Sequence, residues 1–140
     1  MARTLSNIIR VHEWQVDEKR RKLGDLMRLL DNFEAEARKL EADLITEQQI
    51  AATNPSEAGF GYGGYAQSVI QRRERLQQSM VKAEEEIATA REELRDAFRE
   101  LKKFEIAQEN RTKAEAKEEA RKETVFLDEV GMQGYLRKKA

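Results

Sequence analysis

The chain has no cysteine, one proline and one histidine among its 140 residues, and aromatic residues are only 6% of it. The absence of cysteine removes disulfides and thiolate chemistry and is compatible with a reducing compartment. Scarce aromatics beside 38% charged residues argue against a thick globular core and favour long helices with one wet face and one apolar stripe. Long apolar stretches are missing too: no run exceeds the three residues Val125, Phe126 and Leu127, and the first residues carry no apolar signal core. No direct membrane insertion is therefore expected, and any membrane association has to be borrowed from a partner. Charge of one sign is also absent, since 26 Lys and Arg against 27 Asp and Glu leave a formal net charge of −1. No overall field attracts nucleic acid or an anionic membrane, which points to a protein partner.

What the chain does contain is a seven-residue apolar rhythm, twice. The first alternating three-and-four spacing runs through Ile9, His12, Val16, Lys19, Leu23, Leu26, Leu30, Phe33, Ala37, Leu40, Leu44, Glu47 and Ala51. The second runs through Val69, Arg73, Leu76, Met80, Ala83, Ile87, Ala90, Leu94, Ala97, Leu101 and Phe104. A 3.5-residue repeat sustained this long marks helices that wind about a partner along a narrow seam. The expected fold is all-α: a long two-helix antiparallel coiled-coil hairpin with a helical C-terminal extension, a long thin rod forming one domain over residues 1–140. Pairs four residues apart, such as Asp17 with Arg21, Glu18 with Lys22 and Glu34 with Arg38, add about 0.2–0.5 kcal/mol each.

The spacing predicts a first helix over about 4–53, stopped where Pro55 lacks an amide and disfavours helical geometry in Asn54. Glycines at 59, 61, 63 and 64 mark a turn over about 54–64. A second helix follows over about 65–127, with a short tail over 128–140. If residues 54 and 65 face each other, Ile9 lies opposite Asn110, where the second apolar seam dies. Beyond it the seam positions read Gln108, Arg111, Glu115, Glu118 and Lys122, a polar extension without an intramolecular partner.

Chemistry is hard to find. Gly59, Gly61 and Gly64 have the spacing of a dinucleotide-binding loop, but a helix rather than a strand precedes them, and a flexible turn is the better reading. His12-Glu13 opens like a zinc protease motif, yet Val16 stands where the second histidine belongs. His12 reads as a partly solvated seam residue. Glu84, Glu85 and Glu86 fan around a helix and cannot converge on a cation. The basic run Lys19 to Lys22 follows directly on Asp17 and Glu18, and the clusters at Arg72–Arg75 and Arg137–Lys139 share no stripe with it. No catalytic, cofactor or metal site is expected, and an enzyme is not expected. Two surfaces remain as candidates for partner binding. At one end is the triplet Val125, Phe126 and Leu127, which no intramolecular seam reaches. At the other are Phe60, Tyr62 and Tyr65, which either plug the helix ends or form a binding tip among the glycines.

These features resemble the FliJ family, the small coiled-coil proteins of the flagellar type III export apparatus. The resemblance is carried by Leu5, the run Gln15-Val16-Asp17-Glu18, Leu23-Gly24, Tyr65, the seam from Leu94 to Phe104, and Leu127-Asp128-Glu129 before a basic tail. It implies a noncatalytic central stalk of the hexameric export ATPase, similar to the gamma subunit of rotary ATP synthases. In such proteins the paired chain ends enter the ATPase ring and promote its assembly and turnover. The coil also contacts the export gate membrane protein and escorts substrate-specific export chaperones, at a cytoplasmic position peripheral to the inner-membrane export apparatus. On this reading Val125, Phe126 and Leu127 face the ring. Leu40, Phe60, Tyr62 and Tyr65 are the candidates for the gate, because Asp43 and Glu47 stand where flagellar members often carry aromatic side chains on the late first helix. The alternatives are a generic coiled-coil scaffold or homodimer and the equivalent stalk of a virulence secretion system.

Overall fold

A computed structural model describes the backbone of residues 2–53 and 55–139 and the side chains of residues 3–53 and 63–139. The described chain is all-α. Helix α1 spans Ala2–Thr53 and helix α2 spans Pro55–Lys139, and the two pack against each other as an antiparallel hairpin. The heptad seam is what joins them. Of the seam positions read from the sequence, only Glu47 on α1 and Arg73 on α2 are exposed, the rest being buried or half-buried.

Three expectations differ from the structure. Residues 55–64, read as a glycine-rich turn, begin α2. Proline is well suited to the first turn of a helix, where its missing amide would have no intrahelical partner, and glycine lowers helix stability without forbidding the conformation. Residues 128–139, read as a tail, continue α2 for the same reason, since Gly131 and Gly134 keep helical geometry. The register shifts accordingly. With only Asn54 between the bounds of the two helices, Ser6 meets Gln108 and His12 meets Phe104, so that Ile9 falls opposite the Glu105–Ile106 stretch rather than Asn110.

The chain divides into two compact units, Val16–Asp96 and Met1–Gln15 with Ala97–Ala140. In the first, Val16, Leu40, Val69, Ala83, Ile87 and Ala90 are buried, and Leu23, Leu26, Leu30, Phe33, Leu76 and Leu94 are half-buried around them. Full burial of such a side chain stabilises by about 1.5–3 kcal/mol before chain entropy is subtracted. Charged residues flank the seam and clamp it. Lys19 and Lys22 both donate to Glu93 Oε2, at 3.0 and 3.3 Å, and Arg73 turns outward to grip Glu41 with two bonds of 2.7 and 3.0 Å. The Lys19 hydrogen bond, then that of Lys22, then their charges hold the Glu93 carboxyl below its ordinary range. Lys22 therefore reaches across the hairpin instead of along α1. The on-helix pairs form three residues apart, Arg20 with Asp17 and Arg21 with Glu18.

In the second unit Ile9 and Leu101 are buried. His12 stacks on Phe104 with ring centroids 4.7 Å apart and planes at 22°, while its buried Nδ1 has no hydrogen-bond partner. Gln108 donates to the Ser6 hydroxyl at 3.4 Å. Arg111 is the last half-buried residue of α2, and every residue from 112 to 139 is exposed.

Candidate partner-binding surfaces

The triplet Val125, Phe126 and Leu127 stands on this exposed part of α2, with 52, 62 and 58% of each residue accessible. Three successive helical residues fan over about 200°, so the triplet faces several directions and cannot be covered by one flat contact. Phe126 and Val125 line a shallow recess with Arg121, Lys122 and Glu129. The polar stretch before the triplet secures its own helix. Lys113 pairs with Glu109 at 3.1 Å, Arg111 with Glu115 at 3.3 Å, and Arg121 grips Glu118 with bonds of 2.8 and 3.1 Å. The Arg121 hydrogen bond holds the Glu118 carboxyl below its ordinary range, and the same bond raises Arg121.

Carried past Phe104, the three-and-four spacing of α2 gives the polar residues already named and then Val125, Glu129, Met132 and Leu136. The apolar seam thus resumes in phase, on a segment that α1 does not cover. Met132, Tyr135 and Leu136 are 68, 59 and 61% exposed. They were missed as candidates because residues 128–140 read as a tail, although the unbroken phase was available as a signal. Trp14 was also missed. The one tryptophan of the chain is 63% exposed on the side of α1 away from the seam, one turn from the exposed Val11. No periodic pattern marks such a residue, and the feature that could have flagged it was its type.

At the other candidate surface the side chains of two of the four residues are described. Leu40 is 7% exposed and belongs to the seam, so its side chain is engaged between the helices. Tyr65 is half-buried and has an interaction partner of its own. Phe60 and Tyr62 lie outside the residues whose side chains are described. What the unit Val16–Asp96 does offer is an open groove floored by Phe33, Leu40 and Leu76 and rimmed by Lys39, Arg72 and Arg75 with Glu36 and Asp43. None of these five rim charges forms an ion pair among the described residues.

No group of three or more metal-ligating side chains gathers among the described residues, and Glu84, Glu85 and Glu86 are all exposed. None of the described helices is long and apolar enough to cross a membrane. A family model for the flagellar FliJ protein matches residues 1–140, the whole of the chain. No curated protein and no solved structure matches it.

Proposed function

Since the chain belongs to the flagellar FliJ protein family and so to the flagellar type III export apparatus, we propose that it is a noncatalytic central stalk that assembles and stimulates the hexameric export ATPase ring. The observation that carries the reading is the exposed helix from residue 112 to 139, which presents Val125, Phe126 and Leu127 to a partner on several sides at once. A contact of that form suits a helix end enclosed by a ring. The stalk acts by position. It contributes no acid, base or nucleophile, and its seam transmits where the ring-bound end stands.

The other half of the proposal is a link to the export gate membrane protein and to substrate-specific export chaperones, placing the chain in the cytoplasm at the periphery of the inner-membrane export apparatus. Leu40 contributes to this contact through the groove it floors, with Arg72, Arg75 and Asp43 on the rim. Tyr65, Phe60 and Tyr62 are assigned to the same end of the hairpin.

The test is the ATP hydrolysis rate of the purified export ATPase with and without the chain. Phe126→Asp combined with Leu127→Asp is expected to abolish stimulation while circular dichroism shows helicity unchanged. Full stimulation by that variant would remove the triplet from the contact.

A further inference from the structure

Residues 130–139 carry a charge balance of their own. The chain as a whole has a net charge of −1, yet no carboxylate side chain follows Glu129, and the last turn of α2 holds Arg137, Lys138 and Lys139. Arg137 and Lys138 form no ion pair among the described residues. Cations in a last turn complement the helix dipole. That role does not account for what stands beside them. At about 100° per residue Met132, Tyr135 and Leu136 share one face of the helix, about 100° wide, and all three are exposed. Lys139 lies within that face, its ammonium 5.2 Å from the centre of the Tyr135 ring, and Lys138 lies about 60° beyond its edge. Gly134 and Val130 occupy the opposite side.

We infer that residues 130–139 adsorb to an anionic lipid surface, with Met132, Tyr135 and Leu136 at the boundary of headgroups and acyl chains and the last-turn cations among the lipid phosphates. The inference does not depend on the stalk reading. Charge complementarity selects the surface, because three cations and no carboxylate side chain in ten residues favour an anionic plane even where the chain as a whole is neutral or slightly acidic. The single apolar face is the part that a plane can cover. Tyrosine and lysine together suit such an interface: the ring sits at headgroup level, and the lysine stem lies along apolar surface with its ammonium in water. Lys139 already holds that position over Tyr135. The acids set the limit of the contact. Asp128 and Glu129 lie on the same side of the helix about one turn earlier, where lipid phosphates repel them, so the helix tilts away from the surface there. The contact is adsorption alone, since none of the described helices is long and apolar enough to cross a bilayer.

The experiment mixes the full chain with vesicles of phosphatidylcholine, alone or with phosphatidylglycerol, and measures co-flotation at low and at high salt. The wild type is expected to float with the phosphatidylglycerol vesicles at low salt and not with phosphatidylcholine alone, and salt of about 0.5 M should release most of it. Arg137→Gln, Lys138→Gln and Lys139→Gln together should weaken the partition by more than about tenfold, and Tyr135→Gln with Leu136→Gln by about fivefold, with helicity by circular dichroism unchanged in both. Equal partition of the neutralised chain and the wild type overturns the inference, and so does a wild type that floats with neither vesicle. Full binding by the Tyr135 and Leu136 variant overturns the interfacial seat. If the wild type ignores vesicles while neutralisation lowers its affinity for the purified export ATPase, the cations serve an acidic protein surface and the lipid reading falls.

Discussion

Two stretches of α2 share one heptad phase and live in different surroundings. Between Val69 and Leu94 the seam positions meet α1, and Val69, Ala83, Ile87 and Ala90 are buried. Between residues 112 and 139 the same positions meet solvent. The comparison shows that this helix does not need a partner along its length in order to be helical. Alanines at 114, 116 and 120 and the pairs formed by Glu115 and Glu118 supply local support where the seam does not. It also separates two uses of an apolar side chain. In the first stretch it holds the hairpin together, and in the second it stands in solvent.

The contrast is broken most severely by placing a charge in the paired stretch. Ala90→Asp buries a carboxylate at a position that is 1% exposed, with a loss expected to exceed about 3 kcal/mol and to remove the cooperative thermal melt. A gentler pair of truncations sharpens it. Ile87→Ala is expected to cost about 2 kcal/mol in denaturant unfolding, whereas Leu136→Ala, at a residue 61% exposed, should change stability by less than about 0.5 kcal/mol. Equal costs would erase the distinction between the stretches. Replacing Gly131 and Gly134 by alanine meets no atom within 4 Å of either new Cβ, so each change should strengthen the terminal helix by about 1 kcal/mol and raise the helical signal. The smallest effect is on the clamp at Glu93. Its carboxyl is held below the ordinary range in the folded chain, so its contribution is fully present above that range and is lost as pH falls through the lowered value. Glu93→Gln should flatten this part of the acid dependence, and an acid melt identical to wild type would remove the clamp from the account.

The seam was legible residue by residue, because a partner helix a fixed distance away imposes a 3.5 repeat that sequence preserves. Even its interruptions were informative: Glu47 and Arg73 are charged and exposed, and Arg73 uses its exposure to reach Glu41. The boundaries were harder to read. Pro55 stops one helix and opens the next with equal ease, and four glycines weaken a helix without deciding where it ends. Taking residues 55–64 as a turn misplaced Ile9 by about one helical turn, because register accumulates every residue counted in the connection. The candidate surfaces divide along the same line. Val125, Phe126 and Leu127 stand exposed where the seam runs out of partner, whereas Leu40 belongs to the seam and also floors the open groove. Trp14 obeys no repeat and carried no positional signal.

The alanines at 83 and 90 have a consequence for the choice of mate. By the register of the hairpin, Ala83 falls between Leu30 and Phe33 and Ala90 between Leu23 and Leu26, so a small residue on α2 is matched by large ones on α1. Two α2 helices laid together in parallel along this stretch would set alanine against alanine and lose much of that apolar contact. The alanine stretch of α2 is thus a poorer mate for its own kind than for α1, and the preference lies in side-chain volume instead of charge.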